Sequence, residues 1–500
     1  MIQFVKRFIG IILPFYLIVI YVNADRVIMT NNGPVQGITV TSGEVEIEAF
    51  LGIPYAEPPL GRLRFQQPVP KTSWSGVYDA SKLPPPCVQN ITEFRYWDPD
   101  IENMTEDCLY LNLWVPYTRK SNKLKPIVIY IHGGSFNSGS ASQEVYNGKN
   151  LAEFGDIIVG SMNYRVGVMG FFSAFIEEAN GNMGGYDQLL AIQWMRDNGK
   201  YFGGDPNHIV LMAHSAGAMS VSAHLVSPLT KHMIKRAIIQ SGAGTIPFIL
   251  DENAKVYSDS NTLAKIVGCV DRNSSLKNHP EHVVECLKSL PAEILSSAEG
   301  LLKKINPITF IPRVGDKFLP TTVVDSLKAG ISKDVELLIG IAKDEGPAFL
   351  VTSVPQYFGK YGLHGLNSIS KIFARQVTAT IFNVLKQKKV KDIADLYIGS
   401  IQNGTSDKFR DAMALSLGDY FVTCCVLYQA EFCSLKRSSV YFYVFSRRPS
   451  STLLPQWMGI THYDEVQYVF GNPLFKNFTP EEERLSRRLM ARWVAFAKTG

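Results

Sequence analysis

The stretch Ile209-Val210-Leu211-Met212-Ala213-His214-Ser215-Ala216-Gly217 decides how this chain reads. Its apolar, partly β-branched start predicts a buried strand. A helix pattern follows Ser215, with Met219, Val221 and Leu225 facing inward. A serine at a tight strand–turn–helix bend between small residues is the setting of a nucleophile elbow. Such a bend strains the serine backbone and projects Oγ from the sheet end. Small neighbours are needed because the turn brings backbones close. The first small position is Ala213, where the pattern has Gly. Taken alone, residues 213–217 read more simply as a serine capping a helix.

Strand and helix alternate outward from this point. Pro126–Ile131 is a short β-branched run that ends at Gly133-Gly134, and Asp156–Gly160 reads as the next strand. Asp187–Asn198 carries Leu189, Leu190, Ile192, Trp194 and Met195 at helical spacing, and Lys235–Gln240 reads as a further strand. This alternation predicts an α/β fold, a large mostly parallel sheet flanked by helices on both faces. Asp25–Gln67 reads as short strands with turns at Asn32-Gly33 and Pro58-Pro59. The four lysines of Lys386–Lys391 read as a solvated helix face.

Of the 500 residues, 46% are hydrophobic and the net charge is +5. That excludes disorder, which needs low hydrophobicity and high net charge. It also argues against a nucleic-acid partner, which needs a concentrated basic surface. Lys6 and Arg7 precede an apolar run from Phe8 to Val22, and Val22-Asn23-Ala24 offers a cleavage site before Asp25. This predicts a signal peptide over residues 1–24 and secretion of residues 25–500. The apolar run is shorter than the roughly 20 residues that span a bilayer. No later stretch reads as long and apolar enough to do so. Secretion predicts paired cysteines and glycans on Asn90, Asn103, Asn273, Asn403 and Asn477, each in an Asn-x-Ser/Thr sequon. The seven cysteines leave at least one thiol over.

Phe202–Leu211 leads into the serine, and Glu106-Asp107-Cys108-Leu109-Tyr110-Leu111-Asn112 and His132-Gly133-Gly134-Ser135-Phe136 stand upstream. With these motifs, from about Val27 to its end, the chain resembles the type-B carboxylesterase/cholinesterase family of α/β-hydrolases. The resemblance implies a serine carboxylic ester hydrolase with Ser215 as nucleophile. It implies Glu345, in Lys343-Asp344-Glu345-Gly346, as the acid. It implies His462, in Thr461-His462-Tyr463-Asp464, as the base. Residue chemistry alone does not select among the nine histidines. Asp344 is the rival acid, expected to be exposed or bonded locally. His214 is the rival base, but an elbow neighbour rarely turns its ring onto the adjacent Oγ. The implied oxyanion donors are the backbone N–H groups of Gly134, Ser135 and Ala216. Family members usually have Gly at 135 and at 463; Tyr463 is expected to narrow the pocket.

The resemblance also implies disulfides Cys87–Cys108 and Cys269–Cys286. The third family disulfide joins a Cys near 424 to one beyond 500, so Cys424, Cys425 and Cys433 have no family pairing. Family members usually continue for several tens of residues beyond this end, which reads as a truncated C-terminus. Trp97 lies in the first disulfide loop, one residue further from Cys108 than the choline-binding Trp of cholinesterases. Other expected pocket positions are His214, Phe248, Asn306, Ile308, Ala348 and Phe349. Cholinesterases carry rings at the places of Ala348, Ile308 and Asn306, and Glu at the place of His214. The resemblance therefore favours a general carboxylesterase with room for larger acyl groups. A cholinesterase with a partial choline site at Trp97 is the alternative. A non-catalytic, neuroligin-like adhesion relative is a third reading. No metal-ligand cluster or phosphate loop is present in the sequence, so no cofactor is implied; the partner is a small-molecule ester.

Overall fold

Residues alternate between two buried faces along the central strands. In strand Lys125–Ile131, Ile127, Ile129 and Ile131 enter one apolar cluster while Val128 and Tyr130 enter another. Successive side chains of a strand point to opposite faces, so a sheet buried on both sides yields near-continuous apolar runs. The computed structural model describes residues 26–500, apart from 44, 92–99, 118–122, 247–252, 272–273, 333, 364–367 and 437–438.

The central sheet comprises β1 (Ile38–Ser42), β2 (Val45–Pro54), β3 (Tyr110–Pro116), β4 (Lys125–Ile131), β5 (Ile158–Met162), β6 (Gly204–His214), β7 (Ile234–Gln240), β8 (Glu336–Ala342) and β9 (Val440–Phe445). Their spatial order is β1-β2-β3-β5-β4-β6-β7-β8-β9. The first three pair antiparallel, and β3 pairs antiparallel with β5. Every pair from β5 to β9 is parallel. The result is the expected α/β-hydrolase architecture, a mixed sheet with a parallel majority and helices on both faces. Six helices bear on the site and its supports: α1 (Met183–Asn198), α2 (Ala216–Val226), α3 (Gly346–Ser353), α4 (Ser406–Gly418), α5 (Cys424–Leu435) and α6 (Pro480–Thr499).

Helix α2 is buried along its whole length, beyond the three inward residues expected. Helix α6 closes the opposite face with Met490, Trp493 and Val494 in the second cluster. Its start is set by a capping box between Thr479 and Glu482, with Pro480 in the first turn. A third cluster, around Leu350, Phe358, Phe382 and Leu417, joins α3 to α4. Cys87–Cys108 and Cys269–Cys286 are bonded. Closing loops of this length stabilises the fold by about 3 kcal/mol each in the chain-entropy model. Cys425 and Cys433 are buried free thiols, and Cys424 is a half-buried one.

Two expectations are corrected. The lysines of 386–391 do not share a helix face. Lys386, Lys388 and Lys389 form an exposed turn between two helices, with Lys386 and Lys389 at positive φ. The helical run Ser406–Leu435 is long and apolar enough, by length and composition, to cross a membrane. Half of that apolar window is buried inside the fold. The expected leader and its expected cleavage site lie outside the described residues.

Arg165 and Asp187 form a buried ion pair beneath the sheet end. The guanidinium donates from Nε (2.8 Å) and Nη2 (2.7 Å), and the Arg165 amide adds a third bond. Removing one partner leaves an uncompensated buried charge. Asp187→Ala is expected to cost about 3–5 kcal/mol, read as a lower melting temperature by calorimetry.

Candidate active site

Four strands of the parallel block deliver their C-terminal ends to one place. The segment after β4 carries Gly133–Phe136, Ser215 follows β6, and Glu345 lies three residues past β8. His462 arrives on the longer connection after β9. Ser215 sits at φ 56°, ψ −125° and starts α2, yet its side chain makes no capping bond. The simpler reading of this serine as a helix cap is thereby set aside. Its N–H donates to the Gln240 carbonyl at 2.8 Å, which ties the elbow to the end of β7. Backbones close in around it. A Cβ on Gly217 would stand 2.2 Å from the Ile131 oxygen, and one on Gly242 would stand 2.2 Å from the Ser215 oxygen. Ala213, where the pattern has Gly, is fully buried in β6 with its methyl in the main cluster.

Oγ of Ser215 lies 2.9 Å from Nε2 of His462. Nδ1 of His462 lies 2.7 Å from Oε2 of Glu345. The other Glu345 oxygen accepts the Ala342 amide at 2.7 Å. His462 and Glu345 are buried, and Ser215 is half-exposed. A carboxylate on Nδ1–H leaves Nε2 free of a proton and facing the hydroxyl, the arrangement that lets an imidazole act as base. The rival acid has a different task. Asp344 is half-buried, its Oδ2 accepts the Ile460 amide, and its own amide donates to the Ile460 carbonyl, both at 2.9 Å. It straps the Glu345 loop to the His462 loop, a role that the sequence reading did not see. His214 does not reach the serine hydroxyl; its ring packs 4.5 Å from that of His462.

The three expected donors are aimed by their neighbours' carbonyls. In a trans peptide the C=O and the following N–H point opposite ways. The Gly133 carbonyl accepts Nδ1–H of His132 at 2.8 Å, which turns the Gly134 N–H the other way. The Gly134 carbonyl accepts the amides of Asn137 and Ser138, each at 2.9 Å, and the Ser215 carbonyl accepts Met219 N–H at 3.0 Å. The N–H groups of Ser135 and Ala216 are oriented in the same manner. Burial pushes the His132 imidazole down to about 4, so it remains neutral and a steady donor. Nothing in the sequence reading singled out His132 for this.

The expected pocket residues are less uniform. Trp97 and Phe248 lie outside the described residues, as does the sequon Asn273. Ala348 is fully buried in the third cluster, so it offers no surface as a lining residue. Phe349 instead sets its ring 5.0 Å from His462 and stacks on Phe421, which the sequence reading missed. Asn306 turns its amide onto Asp259 at 2.8 Å. Ile308 is half-buried against the main core. Tyr463 stands at φ 91°, and its ring packs against His214 and Tyr146. Its half-buried ring thus packs against the second cluster, where the expectation was that it narrows the pocket. A separate groove of about 510 Å³ runs between β9 and α6, and no His, Asp or Glu lines it. Among the described residues no cluster suited to a metal ion occurs.

Residues 24–500 match the Carboxylesterase family. The chain belongs to that family. It is 38% identical to acetylcholinesterase-1 of Trittame loki over 488 residues, 95% of this chain and 86% of the relative. It is 36% identical to the acetylcholinesterase of Bungarus fasciatus over 95% of this chain and 78% of the relative. It is also 36% identical to the cholinesterase of Mus musculus over 95% of this chain and 79% of the relative. This carboxylesterase-family chain is accordingly a hydrolase of small-molecule carboxylic esters.

Ser135 adopts φ 56°, a region that costs a non-glycine residue roughly 1–2 kcal/mol. Ser135→Gly keeps the N–H and removes that strain. Unchanged kcat/KM with a small rise in melting temperature is the expected outcome.

Proposed function

We propose that this chain is a secreted serine carboxylesterase working through Ser215, His462 and Glu345 by way of an acyl-enzyme. The observation that carries the reading is the relay of 2.9 Å and 2.7 Å from hydroxyl to imidazole to carboxylate. His462 takes the Ser215 proton as Oγ attacks the ester carbonyl. The tetrahedral oxyanion accepts from the N–H groups of Gly134, Ser135 and Ala216, each donor worth roughly 2.7–4 kcal/mol. Protonated His462 then gives its proton to the departing alcohol. Water, activated by the same imidazole, cleaves the acyl-enzyme. Secretion is supported by the two disulfides and by exposed Asn103, Asn403 and Asn477; Asn90 is half-buried.

A general carboxylesterase is the preferred substrate class. His214 stands where an acid would draw a cation, and Ile308 and Ala348 bring no rings to the acyl side. One ring without added negative charge holds a quaternary ammonium weakly, since cation–π attraction reaches about 2 kcal/mol only when desolvated. A cholinesterase using Trp97 is the second reading, favoured by the names of the three relatives. The complete Ser215–His462–Glu345 set weighs against a non-catalytic adhesion role.

Purified protein should hydrolyse p-nitrophenyl acetate and longer acyl esters faster than acetylthiocholine. Ser215→Ala should lower kcat by at least about 10³-fold, and Glu345→Gln by about 10⁴-fold. Equal rates for wild type and Ser215→Ala would sink both enzyme readings. Rapid turnover of thiocholine esters alone, with KM raised by Trp97→Ala, would favour the second. An organophosphate should titrate one equivalent, at Ser215.

A further inference from the structure

Behind the triad lies a buried acid that ester hydrolysis does not call upon. Glu465, three residues past His462, is 1% exposed. Its Oε1 accepts weakly from Gln240 Nε2 (3.3 Å) and Ser241 Oγ (3.4 Å). Among the described residues, its Oε2 meets no donor, and Nε2 of His214 likewise has no hydrogen-bond partner. These two side chains approach to 4.0 Å, between Nε2 and Oε1. That is roughly 1 Å beyond hydrogen-bond range, so a bond between them requires the carboxyl to turn toward the ring.

The surroundings decide which form the pair takes. Glu345 faces Glu465 from the loop after β8, Asp464 from its own segment, and Gln240 and Ser241 from the end of β7. Tyr443 of β9 and Tyr130 of β4 also face it, and His214, with His462 and Tyr463 packed on its ring, closes the side toward the nucleophile. No lysine or arginine is among these groups. A neighbouring carboxylate disfavours the ionised form of a buried carboxyl. Glu345 accepts two short bonds, from the Ala342 amide and from Nδ1 of His462, where Glu465 has two long ones. Burial, with the charge of Glu345 adding to it, pushes the Glu465 carboxyl up to about 8. On the other side, burial and the adjacent His462 hold the His214 imidazole well below its ordinary 6.5. An ion pair would also set a second cation beside His462 while that ring is protonated.

We propose that Glu465 keeps its proton at neutral pH and donates it to Nε2 of His214, so that a neutral hydrogen-bonded pair backs the ring of His462 and fixes its orientation. Both are positioning residues, and their effect on turnover rests on His462 being the base. The pair also ties stability to pH. Between the ordinary carboxyl value of 4.5 and about 8, folded Glu465 holds a proton that the unfolded chain releases. The stability it contributes is complete below that window and is lost as pH rises through it.

Glu465→Gln keeps a neutral donor, and Glu465→Ala removes it. At pH 7, Glu465→Gln should retain kcat and KM within about threefold, while Glu465→Ala should lose about tenfold in kcat at similar KM. Wild-type kcat should fall through an ionisation near pH 8 that Glu465→Gln lacks. The melting temperature of Glu465→Gln relative to wild type should climb steadily from pH 5 to pH 8. A Gln variant as impaired as the Ala variant, or a melting difference that is constant across that range, overturns the proposal. The melting curves do not involve Ser215, so they report on the pair even where the catalytic reading fails. If Glu465→Ala does not fold, the Gln variant still decides the matter.

Discussion

The site depends on one backbone constraint, the left-handed φ of 56° at Ser215. No local interaction favours it. A serine with a Cβ is penalised there, and this serine has given up the capping bond that would partly offset the strain. The conformation persists because the sheet over-determines it. Its amide is bound to the end of β7, its carbonyl to the second turn of α2, and two glycines admit backbones that no larger residue would. The hydroxyl is thereby presented at the sheet edge at one angle, within reach of an imidazole 247 residues further on.

The same logic extends to the oxyanion side, where carbonyls rather than side chains do the aiming. Each implied N–H belongs to a peptide whose oxygen is already bound, to His132, to the amides of Asn137 and Ser138, or to Met219. Donors fixed before the reaction need no reorganisation when charge develops, which is why such groups matter more than their number implies. Asp344 performs a comparable service for the relay. Through two bonds with Ile460 it joins the loops of Glu345 and His462.

The parts legible in the sequence were those in which a residue type declares its own role. The apolar run before Ala-His-Ser-Ala-Gly announced β6 and the pattern after it announced α2, whereas the elbow became readable only with the flanking motifs that carry the family resemblance. Element ends were less legible: α1 begins four residues before the predicted start, and β6 reaches back to Gly204. Ring directions were less legible, although Phe349 does set its ring against His462 as a pocket position should. Tyr463 was expected to narrow the pocket, but at its left-handed φ the half-buried ring packs beside Tyr146. Phe421, stacked on Phe349 near the imidazole, lies in a π-helical turn between α4 and α5 that no periodicity reveals. His132 escaped notice because its contribution is a bond to the carbonyl next door, and backbone geometry leaves no mark on composition.

Strain is distributed unevenly, and the distribution is informative. Of fourteen non-glycine residues at positive φ among those described, Ser135, Phe136, Ser215, Ser241 and Tyr463 surround this one sheet edge. Each such residue costs of order 1–3 kcal/mol, and structures keep them only where the surroundings leave no alternative. Here the surroundings are identifiable. Phe136 is buried edge-on against Phe171, and its carbonyl accepts the Gly167 amide. Ser241 is tied to the Gly340 carbonyl, and Tyr463 is packed between two rings. The contacts that hold these backbones come from β6, β7, β8, α2 and the segments that follow β4 and β5, several of which also carry or flank the proposed relay. Relaxing any one of them would therefore release strain and misalign the donors together, so stability and alignment at this edge are set by the same contacts.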